Sequence, residues 1–356
     1  MRECMETDNR IRQSNIELLR IILMILVIAH HYVVNSGVMD QFNYFSVSAP
    51  MIYLQCFGAF GKVAINAFVL ITGYFMCSGH WTIHKWLKLY LQIKLYRIVF
   101  YLLFVAVGYV PFNYHDLLET LFSTVFQYGS DYAETYLGLY LMIPFLNKLI
   151  TSLTQREHSY LLLLLLAFFC LIPTFSLFLS VRHASNDTWN YPVWMAVLYL
   201  TGAYIRKYSF PAFLSKNWAR TAFFLNCALI FGSIIVVDFV GVRLDFTAQY
   251  WLVNNANKLL AYTCAIAIFC WFKDLQISYH PVINAISACT FGIYLIHTVN
   301  PAMREWLWCN LFRVSDVYHT SYVWFHSVAS VVLIFATCAS IEWLRLQLFN
   351  KVIKTH

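Results

Sequence analysis

The stretch LRIILMILVIAHHYVV, residues 19–34, decides the fold class of this chain. Nearly all of it is apolar or aromatic, and with the residues just before it a helix here is long enough to cross about 30 Å of hydrocarbon. Yet Arg20 lies near its start, and His30 and His31 lie near its end. Ionisable groups at membrane depth are costly and usually face a bundle interior or a water-filled cavity. The stretch therefore predicts a membrane helix that carries part of a functional site.

The composition of the whole chain extends this prediction. Of its 356 residues, 60% are hydrophobic and 12% charged, whereas about 25% are charged in a soluble domain. We predict an all-α, polytopic membrane helical bundle that forms a single membrane-embedded domain over residues 1–356, with a core at about 14–346. Windows of about 19 residues indicate ten transmembrane helices, near 16–36, 50–77, 88–110, 132–151, 159–180, 190–208, 219–241, 250–272, 285–303 and 322–345. The stretch 116–128 is apolar but short, and we interpret it as an interfacial or re-entrant piece.

The basic residues give this bundle an orientation. Eighteen of the 24 lysines and arginines fall on the side of the N-terminus, four fall on the other side, and Lys62 and Lys258 fall within spans. Because cytoplasmic loops carry an excess of Lys and Arg, both termini are predicted to be cytoplasmic. The net charge of +7 then follows from topology, and no nucleic-acid partner is expected. No spacing of cysteines and histidines suggests a metal site, so no metal is expected.

Helix geometry places three polar residues of the first span on one face. Arg20 and His31 are eleven residues apart, roughly 1100° of rotation and about 16 Å of rise, so they share one stripe. Glu17 precedes Arg20 by three residues and can pair with it on the same face. His30 is turned roughly 80–100° away from His31. The first helix therefore carries a polar line made of Glu17, Arg20 and His31.

Other spans also carry polar groups. In GKVAINAFVLITGYFM (61–76), Lys62 and Asn66 are four residues apart, and Tyr74 follows. In LKLYLQIKLYRIV (87–99), Lys94 and Arg97 are three apart, so both can reach one anion. The segment FGIYLIHTVNPAMREW (291–306) places His297 within a late span.

Taken together, these residues resemble the acyltransferase-3 family of integral-membrane O-acyltransferases. Its marker is an arginine and a histidine separated by ten residues in the first span, here Arg20 and His31. The motif FVLITGYF (68–75) is similar to the family's Phe-x-x-Ser-Gly-aromatic motif, with Thr72 in place of the serine, and Lys94-x-x-Arg97 is similar to its Arg-x-x-Arg pair. ETYLGLYLMIPFLNKLI (134–150) and ACTFGIYLIHTVN (288–300) resemble its middle and late signatures, including those of the capsule-associated branch. The resemblance covers roughly residues 14–346.

The resemblance implies a function and a set of site residues. It implies a multi-pass protein of the inner (plasma) membrane that moves an acyl group from cytoplasmic acyl-CoA to a hydroxyl of an extracytoplasmic or lipid-linked cell-surface polysaccharide or glycan. His31 is the expected catalytic residue, either as a general base or as a nucleophile that is itself acylated. Glu17 is grouped with it as the partner that fixes Arg20. Arg20, Lys94 and Arg97 are expected to hold the phosphates of CoA. The candidates for an oxyanion or acceptor site are Asn66, Tyr74 and His297.

Alternatives remain at this point. A multispan transporter of a small solute or lipid-linked sugar also fits ten spans with intramembrane charges. A glycosyltransferase or polymerase is a third class, but no large outer loop with acidic residues indicates one. Acyl-CoA, a sugar or glycan acceptor and membrane lipid are the expected partners. Acetyl-CoA is the expected donor because acetyl transfer is the most frequent activity in the family that the chain resembles, and succinyl-CoA remains an alternative. The sequence identifies neither the acyl group nor the sugar.

Overall fold

The computed structural model describes residues 13–175, 190–208, 217–241 and 250–354, and these residues form helices, turns and loops with no strand. The described α-helices, numbered in chain order, begin with α1 (Ser14–Val34), α2 (Ala49–Gly58), α3 (Gly61–Met76), α4 (Ile83–Ala106), α5 (Tyr114–Leu121), α6 (Ser123–Phe126), α7 (Tyr132–Ser152), α8 (Gln155–Leu166), α9 (Ile172–Phe175), α10 (Tyr191–Tyr208), α11 (Trp218–Val236) and α12 (Leu259–Lys273). They continue with α13 (Pro281–Ala288), α14 (Thr290–Thr298), α15 (Pro301–Glu305), α16 (Val314–Val317) and α17 (Val323–Lys354). Short irregular helical turns cover Val38–Gln41, Ala167–Leu171, Val237–Gly241 and Trp306–Leu311.

The prediction of an all-helical multi-pass protein is confirmed. Within the described residues, seven helical segments are long and apolar enough to cross a membrane: Ser14–Val34, Ala49–Met76, Ile83–Ala106, Gln155–Phe175, Trp218–Val240, Pro281–Thr298 and Val323–Phe349. Helix α12 is apolar but shorter. Each of the ten predicted spans contains a described helix, while the count of ten and the cytoplasmic position of both termini stay predictions. The predicted orientation places residues 182–188 on the extracytoplasmic side, and these residues are not among those that the structure describes.

The second span is broken where α2 meets α3, and His30 of α1 lies at the break. The His30 ring donates from Nδ1 to the carbonyl of Gly58, at 2.7 Å. Gly61 gives the ring its space, because a Cβ at that position would lie 2.2 Å from His30 Cγ. His30 therefore packs against α2 and α3.

Helix α3 packs closely against α10 through two glycines. A Cβ on Gly73 would lie 2.3 Å from the carbonyl oxygen of Tyr199, and one on Gly202 would lie 2.3 Å from that of Leu70. Any larger side chain at either position would push the two backbones apart. The glycine of the FVLITGYF segment thus has a packing role, and α3, which also contacts α1 and α12, lies at the centre of the bundle.

The chain between residues 113 and 137 runs back along α4. The Tyr101 hydroxyl donates to the carbonyl of Asn113 at 2.8 Å, Lys94 donates to Ser123, and Trp86 Nε1 donates to the carbonyl of Leu137 at 3.1 Å. The contacts descend α4 from its C-terminal part to its N-terminal part over about 22 Å. Helices α5 and α6 therefore lie beside the C-terminal half of α4, and α7 beside its N-terminal half. This path is compatible with the re-entrant interpretation of 116–128, which stays a prediction.

Candidate functional site

One face of α1 lines a cavity, here named cavity A, of about 200 Å³. The α1 residues on its wall are Arg20, Met24 and Val27, whose spacing of four and three residues places them on one face. His31 follows Val27 by four residues and therefore continues this face one turn farther. The rest of the wall comes from α3, α4, α7 and α14: Ile65, Phe68, Thr72, Leu89, Tyr132, Tyr136, Thr290, Phe291 and Tyr294.

Arg20 is the cation of cavity A. Its Nε is buried and has no hydrogen-bond partner, and no ion pair joins Arg20 to a carboxylate in the part of the chain that the structure describes. The predicted Glu17–Arg20 ion pair is therefore wrong: Glu17 is buried and accepts a hydrogen bond from the Ser287 hydroxyl of α13. Arg20 as a whole is half-buried, and a guanidinium forms strong charge-assisted hydrogen bonds with anionic oxygens, so this arrangement favours an anionic ligand in the cavity.

His31 is hydrogen-bonded to a second histidine, His297 of α14. His31 Nδ1 and His297 Nε2 are 3.0 Å apart, and His297 Nδ1 lies 2.6 Å from the carbonyl oxygen of Ile293. A carbonyl only accepts, so His297 Nδ1 carries a hydrogen. In a neutral pair, His297 Nε2 then accepts from His31 Nδ1–H, since each neutral imidazole has one donor and one acceptor nitrogen.

This order of donors and acceptors leaves the lone pair of His31 on Nε2. His31 can therefore take a proton at Nε2 while His297 holds the ring through Nδ1, the role that an orienting second residue has in many general-base sites. Aromatic contacts lead from cavity A to the pair: the rings of Tyr132 and Tyr294 are 5.5 Å apart, and those of Tyr294 and His297 are 6.1 Å apart. We name His31 and His297 the histidine pair.

Two basic side chains lie in the neighbourhood of His31. Lys62 of α3 and Arg304 of α15 both lie within electrostatic range of His31. Neither forms an ion pair with a carboxylate among the described residues. From the sequence, Lys62 was noted only as a polar position and Arg304 was missed. The signal that could have indicated Arg304 was its position seven residues after His297. Fixed positive charge near a reacting centre stabilises the negative charge that develops in acyl transfer.

Lys94 and Arg97 lie elsewhere than expected. They are about 16 Å and 21 Å from the start of α4, near the middle of the helix rather than at its cytoplasmic end. Both are buried and paired: Lys94 Nζ lies 3.4 Å and Arg97 Nε 3.2 Å from Glu134 Oε1, and Arg97 Nη2 lies 3.2 Å from Asp131 Oδ1. These contacts make the two cations a link between α4 and α7, so a role in holding CoA is no longer favoured for them.

Asn66 and Tyr74 also have partners of their own. The Asn66 amide is fully buried, donates to the carbonyl of Ala256 at 2.6 Å and accepts from Trp194 Nε1 at 3.1 Å. The Tyr74 hydroxyl accepts from Arg206 Nη1 at 3.2 Å, and that guanidinium also lies 5.0 Å from the centre of the Tyr74 ring. Of the three candidates for the oxyanion or acceptor site, the structure brings only His297 to His31.

A family model described as an acyltransferase domain, Acyl_transf_3, matches residues 13–343. The chain belongs to the acyltransferase-3 family. The match spans nearly the whole chain and includes both members of the histidine pair and Arg20. No curated protein and no solved structure gives a significant match to the chain. Membership in the acyltransferase-3 family favours acyl transfer over the transporter alternative.

Proposed function

We propose that this acyltransferase-3 protein moves an acyl group, acetyl by default, from cytoplasmic acyl-CoA to a hydroxyl of an extracytoplasmic or lipid-linked glycan of the cell surface. The observation that carries the proposal is the face of α1. Arg20, which has no counter-ion among the described residues, lies in cavity A at one end of this face, and the histidine pair lies at its other end. An anion site and a proton acceptor are thus aligned on one helix.

The donor is proposed to enter cavity A from the cytoplasmic side. Arg20 then contacts a phosphate of CoA, because a guanidinium forms strong charge-assisted hydrogen bonds with phosphate oxygens. The rise of about 16 Å from Arg20 to His31 is a length that an extended pantetheine arm covers. The apolar and hydroxyl-bearing wall of cavity A suits that arm, and the thioester would lie beside the histidine pair.

The reaction then needs one proton acceptor. His31 Nε2 takes the proton of the acceptor hydroxyl as its oxygen attacks the thioester carbonyl carbon. The C–S bond breaks, the thiolate of CoA leaves, and it takes the proton back from His31. The same lone pair can instead attack the thioester carbonyl carbon, so that the C–S bond breaks, the thiolate of CoA leaves and His31 is acylated at Nε2. The hydroxyl oxygen then attacks the acyl carbon, the N–C bond breaks, and the hydroxyl proton passes to the freed Nε2 and on to the thiolate. In both routes His297 orients His31, and the charges of Lys62 and Arg304 stabilise the oxyanion.

The test uses the purified full-length chain in lipid nanodiscs with radiolabelled acetyl-CoA and a glycan fraction from the cell surface. We expect label to enter the glycan as a hydroxylamine-sensitive ester in the wild type and not in His31→Gln. A folded wild-type protein that consumes no acetyl-CoA or succinyl-CoA with any glycan fraction would overturn the proposal. A second assay uses the same protein in liposomes of the same lipid composition as the nanodiscs. Transport of the glycan across the liposome membrane without acyl transfer would instead support the transporter alternative.

A further inference from the structure

A second cavity, here named cavity B, has a volume of about 270 Å³ and is lined in part by residues that follow His297 in the chain. On α14, Tyr294 of cavity A precedes His297 by three residues. Val299 and Asn300 of cavity B follow His297 by two and three residues. The remaining wall comes from α4, the segment 110–127 and α15: Arg97, Tyr101, Phe104, Val110, Asp116, Glu119, Thr120, Gln127, Pro301 and Ala302. Residues of both cavities therefore lie within three positions of His297 along the chain.

The wall of cavity B combines hydrogen-bond acceptors with aromatic rings. Asp116 and Glu119 project from α5, and ionised carboxylates only accept hydrogen bonds. Glu119 accepts from Gln127 Nε2 at 3.0 Å, and Gln127 Oε1 accepts from Arg97 Nη1 at 2.6 Å. The Arg97 side chain is thereby held by three partners and is not free for a ligand. Phe104 contributes an apolar aromatic side chain to the same wall.

The charges around cavity B differ in sign from those of cavity A. The wall of cavity B carries two carboxylates, Asp116 and Glu119, and one cation, Arg97. The charge of Arg97 is already matched by Asp131 and Glu134. Among the described residues, the wall of cavity A carries Arg20 without an ion-pair partner and no carboxylate. Like charges in a shared low-dielectric site repel strongly, so a phosphate or a uronate is favoured in cavity A and disfavoured in cavity B.

We infer that cavity B is the acceptor subsite and that it takes a neutral, polyhydroxylated sugar. The sugar hydroxyls donate to Asp116 and Glu119, and the apolar face of the ring packs on Phe104. This inference rests on the proposed function, because it assigns that reaction's second substrate. Donor and acceptor then reach the histidine pair from two separate cavities, and the chain that forms α5 and α6 becomes part of the binding site.

The first experiment measures acetyl transfer to a panel of neutral methyl hexosides and to the matching methyl hexuronides. For Asp116→Asn and Glu119→Gln we expect the KM for neutral hexosides to rise by about 10–100-fold, the scale of a lost hydrogen bond to a charged group, with the affinity for CoA unchanged. The matched control is Asp316→Asn, a carboxylate that is exposed and paired with Arg313; it should leave all constants unchanged. An unchanged KM in both variants, or equal use of hexuronides by the wild type, would overturn the inference.

The second experiment measures sugar binding without acyl transfer. Glu119→Cys places a thiol on the wall of cavity B, and mass spectrometry follows its alkylation by a maleimide in the full-length protein. Neutral hexosides should slow alkylation at position 119 and not in the control Asp316→Cys. Protection at 119 in a protein that transfers no acetyl group would refute the proposed function while supporting a sugar site. Failure of any hexoside to protect, in a protein that does transfer acetyl, would refute cavity B alone.

Discussion

His31 Nδ1 and His297 Nε2 are 3.0 Å apart although 266 residues separate them in the chain. The contact joins the first transmembrane helix to α14 and gives His31 a defined tautomer. The adjacent His30 has a different partner, because it donates to the carbonyl of Gly58 on the other side of α1. The two neighbouring histidines are therefore predicted to have different roles.

His31→Gln tests the proton-transfer role of His31. Glutamine keeps hydrogen-bonding capacity but cannot take a proton, so we expect acetyl transfer to fall by about 10²–10⁴-fold, as for the loss of a general base. Binding of CoA, measured by calorimetry, should stay within about twofold, since the proposed phosphate contact is at Arg20 and not at His31. The control His30→Gln should transfer at close to the wild-type rate. Near wild-type transfer by His31→Gln would remove His31 from the mechanism.

His297 is predicted to act by positioning His31. In His297→Leu the partner of His31 Nδ1–H is lost, so we expect kcat to fall by about 10–100-fold, with little change in the KM for acyl-CoA. His297→Gln retains a carbonyl oxygen that can accept this hydrogen and should recover part of the loss. Equal defects in the two variants would indicate that His297 contributes only by filling space.

A double-mutant cycle can test the packing of the His30 ring against Gly61. Gly61→Ala would place a Cβ against the His30 ring, and overpacking of this kind costs about 1–3 kcal/mol of stability. Removal of the ring in His30→Ala should relieve that cost, so the two effects should be strongly non-additive. Thermal unfolding of the four proteins in detergent measures this coupling, and additive effects would contradict the contact.

Arg20 and Arg97 should behave differently when replaced by alanine. Arg20→Ala should weaken CoA binding by about 10–150-fold, the equivalent of the 1.5–3 kcal/mol of a charged hydrogen bond, with a small change in Tm. Arg97→Ala leaves the buried Glu134 and its neighbour Asp131 short of a cation, which should cost on the order of 3 kcal/mol of stability. Its remaining folded fraction should bind CoA normally. Loss of CoA affinity in Arg97→Ala without loss of stability would return Arg97 to the donor site.

The topology predicts which segments can be labelled from each side. The 18:4 distribution of basic residues places residues 80–86 and the C-terminal tail in the cytoplasm and residues 182–188 outside. The path of the chain along α4 adds that Glu119 should be reached from outside and Lys148 from inside. Cysteines introduced at these positions and labelled with a membrane-impermeant maleimide give the readout. A C-terminal tail labelled from outside would contradict the ten-span topology.

The shared face of Arg20 and His31 on the first helix could be predicted because it depends on local geometry. Arg20 and His31 share a face in any α-helix, and the structure places Arg20 on the wall of cavity A and His31 one turn beyond that wall. The pairing of Glu17 with Arg20 was also a local prediction, and it failed: Glu17 instead accepts a hydrogen bond from Ser287, which belongs to a helix far along the chain. Spacing within a helix indicates which side chains can meet, but not which competing neighbour is present.

The sequence by itself determined the membrane class, the helical fold, the expected orientation and the stripe from Arg20 to His31, because hydropathy and the helical repeat are properties of short segments. Only the tertiary structure decided the partner of His31, the neutralisation of Lys94 and Arg97 by Glu134 and Asp131, and the existence of two oppositely charged cavities. Each of these depends on which helices become neighbours. Helix neighbours in a bundle are chosen by packing over the whole chain, such as the close approach of Gly73 and Gly202, and no single segment encodes that choice.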